Sequence, residues 1–209
     1  MLKDSLYWDE FYKSEHKEIA KPTLFANFIY ENYIKNQNIA NLIEFGCGNG
    51  RDSLYFAKNN LSVTAIDSSH IAINALKKQN SDIRWINADF TISLDIRDKF
   101  DICYSRFTLH AIDDTGQNGL IENIKSLLKP NGLFVIEARS INDGKFGLGQ
   151  KVGKNAFIFD NHYRRFIDPN ELKIALSNSG FNIIYIDESG EFAPIKDENC
   201  VCIRVVARY

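Results

Sequence analysis

From residue 41 onward, short apolar runs alternate with stretches of helical period, and this restricts the fold more than any other feature of the chain. Runs rich in Val, Ile and Phe, flanked by Gly, Asn or Asp, read as buried strands. Seven stand at residues 41–45, 61–66, 83–87, 100–105, 132–138, 181–187 and 200–207. Helical periodicity covers 52–58, 69–78, 117–128 and 169–177 between them. Lys129-Pro130-Asn131-Gly132 closes the third helix, and Asp168 before Pro169 opens the fourth, as stop and start signals should. Strands joined through helices pair in parallel, so the expectation is an α/β fold, a mostly parallel sheet with helices on both faces.

Two segments fall outside the alternation. Residues 1–36 hold the aromatic cluster Tyr7, Trp8, Phe11 and Tyr12, then Pro22 and an amphipathic set of Leu24, Phe25, Phe28, Ile29 and Tyr33. They read as a helical cap, with Trp8 and Tyr12 in a lid over the site. Residues 140–168 are longer than a structural connection needs and read as a functional insertion on the acceptor side. No repeat or composition break divides the 209 residues, so a single domain is expected.

Composition narrows the partners. With 27 acidic residues against 25 Lys and Arg, and the cations scattered, there is no footprint for nucleic acid or an anionic membrane. No apolar stretch spans a bilayer, and the acidic start MLKDSLYWDE does not resemble a signal peptide, so a cytoplasmic protein is expected. Cys47, Cys103, Cys200 and Cys202 lack metal or disulfide spacing and read as reduced; the last two should share one strand face as small hydrophobes. No carboxylate and His set has ligand spacing, so no metal is expected.

The chemistry gathers where the first strand ends, in Glu44-Phe45-Gly46-Cys47-Gly48-Asn49-Gly50. Glycines there let a ligand lie against the backbone, and the helix that follows points N–H groups at it. The GxGxG spacing departs from the GxGxxG dinucleotide fingerprint and favours a nucleoside. Asp67, with Ser68 beside it, closes the second strand 23 residues after Glu44, in place to accept hydrogen bonds from ribose hydroxyls. Asp89 and Phe90 end the third strand, a carboxylate and a ring face suited to adenine.

In these residues, from Glu44 through Ala207, the chain resembles the class I S-adenosylmethionine-dependent methyltransferases. EFGCGNG is similar to their glycine motif, Asp67 to their ribose ligand and Asn87-Ala88-Asp89-Phe90 to their adenine motif. The resemblance implies a Rossmann-like seven-stranded sheet with an antiparallel last strand, and S-adenosyl-L-methionine as cofactor, released as S-adenosyl-L-homocysteine. It also implies that Tyr12, Glu44, Gly46, Gly48, Asp67, Ser68, Asp89, Phe90 and Ser105 surround the cofactor, with Arg106 near its methionine end. Asp101 is read as fixing the start of the fourth strand. YWDEFY, HYRRF and GEFAP further resemble small methyltransferases of bacterial capsule and surface-polysaccharide synthesis, which implies O-methylation of a sugar, free, phosphorylated or nucleotide-linked, or of a phosphoramidate-type capsule precursor.

A hydroxyl acceptor needs a base during attack, and histidine suits neutral pH. His162 in the insertion and His110 after the fourth strand both qualify, whereas His16 and His70 read as exposed helix residues. Arg106, Arg139, Arg164 and Arg165, with Tyr163, fall on the ligand side and suit an anionic small-molecule acceptor. The alternatives are a thiol or metalloid methyltransferase, whose soft nucleophile needs no base, and a non-catalytic nucleoside-binding protein. A short-chain dehydrogenase is disfavoured because no Tyr is followed four residues later by Lys. Nucleic-acid methylation is disfavoured because Ser105-Arg106-Phe107-Thr108 replaces the Asn/Asp-Pro-Pro-aromatic motif.

Overall fold

The computed structural model describes residues 2–14, 21–80, 82–194, 198 and 200–209; His16 lies outside them. The chain begins with α1 (Leu2–Ser14) and α2 (Leu24–Ile29), the latter running into a π turn at Tyr30–Ile34. Then come β1 (Asn41–Phe45), α3 (Arg51–Lys58), β2 (Ser62–Asp67), α4 (His70–Gln79), β3 (Arg84–Asn87), β4 (Phe100–Arg106), α5 (Asp114–Leu127) and β5 (Leu128–Arg139). An excursion of β6 (Gln150–Lys151), β7 (Ala156–Phe159) and β8 (His162–Arg165) precedes α6 (Pro169–Asn178), β9 (Asn182–Ser189) and β10 (Cys202–Arg208).

Seven strands form one sheet in the order β3-β2-β1-β4-β5-β10-β9. β3, β2, β1, β4 and β5 pair in parallel, and β10 runs antiparallel to β5 and β9. Side chains alternate across the sheet, so adjacent residues serve different cores. Leu42, Val63, Ile102 and Tyr104 meet Phe25 and Ile29 of α2, Phe56 of α3, and Ile73 and Leu76 of α4. Ile43, Phe45, Cys103 and Phe134 meet Leu120 and Ile124 of α5, and Leu172 and Leu176 of α6. Helices therefore cover both faces. The sheet order reverses between β1 and β4, and that switch point opens a crevice at the strands' carboxyl ends.

Asp101 holds the start of β1, accepting from Ala40 N at 2.9 Å and Asn41 N at 3.1 Å. Two elements depart from expectation. β5 begins at Leu128 rather than at 132, and the Pro-Asn-Gly turn lies inside it as a bulge. Phe100 faces Leu128, Ile102 faces Leu133, and Asn131 takes φ +65° between them. The insertion contains the antiparallel sheet β6-β7-β8. Its hairpin turns on Asp160 and Asn161, both at positive φ, without the glycine that usually announces such a turn. Among the described residues no helix is long and apolar enough to cross a membrane. All four cysteines are buried and unbridged, with Cys200 and Cys202 Sγ 3.6 Å apart.

Candidate active site

The turn from β1 into α3 shows why glycine stands there. Gly46 and Gly48 take φ of +70° and +55°, which side chains adopt at a cost of about 1–2 kcal/mol. A Cβ on Gly46 would lie 2.4 Å from Thr108 Cγ2, and one on Gly48 would lie 2.5 Å from Tyr12 Oη. Gly48 N donates to Asp67 Oδ2 at 2.8 Å and Ser69 N to Oδ1 at 2.9 Å, so one carboxylate ties the loop to the end of β2. Burial pushes the Asp67 carboxyl above its ordinary range, opposed by those two donors. Glu44 is pushed up by burial and by Asp52, while Ser53 Oγ donates to it. Asp89 accepts from Thr91 N at 2.8 Å, and the Phe90 ring stands edge-on to Phe45.

These groups border one cleft of about 1660 Å³. A pocket for one small ligand holds roughly 300–1,000 Å³, so the cleft has room for two. One end is bordered by Glu44, Gly46, Gly48, Asp67, Ser68, Asp89 and Phe90, and the other by Arg106, His110, Arg139, His162 and Arg164. The first end brings together the glycine turn, two acids near neighbouring strand ends and the Phe90 ring. Ser105 does not border the cleft; its Oγ shares a hydrogen with Thr108 Oγ1 beneath it.

The insertion's residues separate by strand alternation. In β8, His162 and Arg164 face the cleft whereas Tyr163 and Arg165 do not border it. Arg165 instead donates to Leu109 O at 3.2 Å, to Gln117 at 2.7 Å and to Asp114, locking the insertion onto the segment after β4. Two cleft arginines are also engaged. Arg106 Nε donates to Glu137 at 2.9 Å, and Arg139 donates to Asp143 at 2.9 Å and to Glu198 at 2.8 Å. His110 is buried and its Nδ1 has no partner among the described residues. Burial, then Arg139, Arg164, His162 and Arg106, hold its pKa well below 6.5, so the imidazole is neutral.

Helix α1 spans both ends of the cleft. Tyr7 stacks on His162 with ring centroids 4.6 Å apart, and Trp8 meets the same imidazole edge-on at 5.6 Å. At the other end Asp9 accepts from Ser69 Oγ at 2.7 Å and approaches His70 Nδ1 at the same distance. Tyr12 lies over Gly48, its phenol pushed far up by burial and by Asp67. Sequence reasoning missed Tyr7, Asp9 and Phe192 as neighbours of the site, because their partners are distant along the chain. Phe107 was marked only by its place after β4; its backbone is left-handed at φ +58°, and the Arg106 guanidinium lies 4.0 Å above its ring. Among the described residues no three His, Cys, Asp or Glu side chains converge as metal ligands would.

The profile of a methyltransferase domain matches residues 14–186. A ubiquinone biosynthesis O-methyltransferase of Coxiella burnetii is 27% identical over 192 residues, spanning 85% of this chain and 80% of its own. Rat glycine N-methyltransferase is 29% identical over 117 residues, spanning 47% and 40%. Among solved structures, the Burkholderia thailandensis 1,6-didemethyltoxoflavin-N1-methyltransferase, crystallised with S-adenosylhomocysteine, superposes with a TM-score of 0.67 at 19% identity, covering 88% of this chain and 76% of its own. An S-adenosylmethionine-dependent methyltransferase from Clostridium acetobutylicum superposes with a TM-score of 0.69 at 17% identity, covering 99% and 97%. The chain belongs to the methyltransferase-domain family, and its fold is that of the S-adenosylmethionine-dependent methyltransferases. None of these names refers to a capsule or a sugar, so that association rests on the sequence pattern alone.

Proposed function

We propose that this chain transfers a methyl group from S-adenosylmethionine to a hydroxyl oxygen of a small polar molecule. The observation that carries this is a single cleft with nucleoside-type partners at one end and a buried, neutral imidazole among arginines at the other. When bound, S-adenosylmethionine supplies an electrophilic methyl on a sulfonium that leaves as a neutral thioether. Asp67 accepts from the ribose hydroxyls, Asp89 and Phe90 hold the adenine, and Glu44 with the Gly46–Gly48 backbone borders the rest of the cofactor. Tyr12 and Ser68 close over it, and Ser105 acts from beneath through Thr108. Alignment and exclusion of water carry most of the rate in such a displacement. His110 adds a proton acceptor within the cleft, and His162, stacked on Tyr7, fixes the lid against the acceptor end.

The sequence pattern refines the acceptor to a sugar or nucleotide-linked sugar of surface-polysaccharide synthesis, and Trp8, Phe107 and Phe192 are aromatic residues along the cleft that receives it. Unbridged thiols suit a reducing cytoplasm as its compartment. The N-methyltransferases among the relatives raise an amine acceptor as the second reading; the arginines around His110 disfavour its binding as an ammonium ion, although it is the neutral amine that attacks. S-adenosylhomocysteine release, measured across nucleotide sugars, phosphorylated sugars, catechols, amines and thiols, tests the proposal. Turnover with a hydroxyl acceptor is expected; turnover with amines or thiols alone contradicts it.

A further inference from the structure

The acceptor end carries more positive charge than its own carboxylates offset. Its ion-pair network joins Arg106 and Arg204 to one shared carboxylate, Glu137. It joins Arg139 to Asp143 and Glu198, and Lys145 to that same Glu198. Four cations therefore share three carboxylates. Arg164 adds a fifth cation, and among the described residues it has no hydrogen-bond or ion-pair partner. Its Nε is buried and unsatisfied although the residue borders the cleft. The buried Nδ1 of His110 is unsatisfied in the same cleft.

Native proteins leave few buried polar atoms unpaired, and each one asks for an explanation. Both atoms are themselves shielded from solvent, so what a ligand in the cleft meets is the rest of the Arg164 guanidinium, which has no hydrogen-bond or ion-pair partner among the described residues. A guanidinium is weakly hydrated and forked, matched to carboxylate and phosphate oxygens.

We infer that Arg164 is the anchor of an oxyanion subsite: a carboxylate or phosphate group of the acceptor takes its guanidinium, and the oxygen to be methylated faces His110. The subsite rests on the methyl-transfer function proposed above and narrows its substrate class to anionic hydroxy compounds. Arg106 and Arg139 border the same space, but their acidic partners reduce what they offer an anion. Burial and Arg139 hold the Arg164 pKa below its ordinary value, opposed by the more weakly acting Glu198 and Asp143, a setting that a directly bound anion improves.

The test uses the full chain loaded with S-adenosylhomocysteine, titrated separately with inorganic phosphate and with acetate at constant ionic strength. The ring resonances of His110, assigned by their loss in His110→Gln, report binding. Saturable shifts with at least one anion are expected, and the preferred anion identifies the acceptor group. Arg164→Met should weaken that binding at least tenfold while S-adenosylhomocysteine affinity stays within twofold. Arg164→Gln is the second variant should Arg164→Met lose the cofactor. The subsite is overturned if wild type binds S-adenosylhomocysteine but neither anion, or if both Arg164 variants bind the anion as wild type does. A wild type that does not bind S-adenosylhomocysteine overturns the proposed function itself.

Discussion

In the proposed function His110 and Asp67 stand at opposite ends of the cleft, and each predicts a measurable signature. Burial, then Arg139, Arg164, His162 and Arg106, keep the folded-state pKa of His110 well below 6.5. The unfolded chain takes up a proton near pH 6.5 that the folded chain refuses, so stability falls as pH drops below that value. Above it the residue is neutral in both states and contributes no slope. Denaturant unfolding at pH 7.5 and 5.5 should show this loss in wild type and a smaller one in His110→Gln. With a hydroxyl acceptor, His110→Ala should lower turnover by about 10²–10⁴ with cofactor affinity unchanged; less than a threefold loss would remove it as the base. Asp67→Ala should weaken S-adenosylhomocysteine binding by about 1.5–3 kcal/mol, the value of a hydrogen bond to a charged group, as calorimetry would show. Both residues stood out in the sequence because strand ends and a lone histidine after a strand are local signals. The division between Arg164 and Arg165 did not, since it depends on which face of β8 meets the cleft and on Asp114 and Gln117, about 50 residues away.

Most helices and strands of the main sheet were readable because each carries its own signal, although α5 begins at Asp114, three residues before its expected start, on an Asp113 cap that the sequence reading did not identify. Asp113 caps α5 by accepting from Gly116 N at 2.7 Å, Asp168 caps α6 by accepting from Asn170 N at 2.9 Å, and the apolar periods match the observed cores. The β6-β7-β8 sheet was not readable, because a two-residue strand and an Asp-Asn turn leave little local trace. The attachment of α1 was equally hidden, as Asp9 meets Ser69 and His70 only after folding. That attachment predicts a phenotype: Asp9→Ala leaves Ser69 Oγ without its acceptor and frees α1 from the start of α4. Tryptic cleavage after Lys13 should accelerate several-fold in this variant, while the thermal midpoint of the sheet core moves little. Equal cleavage rates would mean that the aromatic contacts alone hold the helix. Gly48→Ala acts on the same junction from below, where a Cβ would strike Tyr12 Oη. It should lower cofactor affinity through both the strained turn and the displaced lid, whereas Gly147→Ala, with open space around it, should not.

Taken together, the sheet order puts the ends of β1, β2 and β4 around one crevice, and two additions to the Rossmann-like core, α1 and the β6-β7-β8 excursion, meet there through Tyr7 and His162. A net charge of −2 spread over the chain coexists with four cations sharing three carboxylates near the acceptor end, so bulk composition does not report the local charge on which the proposed anion subsite rests. The most direct test is thermal unfolding of the full chain with S-adenosylhomocysteine and, separately, with NAD, each at about a hundred times its dissociation constant. Specific binding at that ratio stabilises by about 2.7 kcal/mol, or roughly 5–10 °C for a chain of this length. A shift of that size with S-adenosylhomocysteine and none with NAD is predicted. A shift with NAD alone, or with neither, would contradict the assignment of this cleft to methyl transfer.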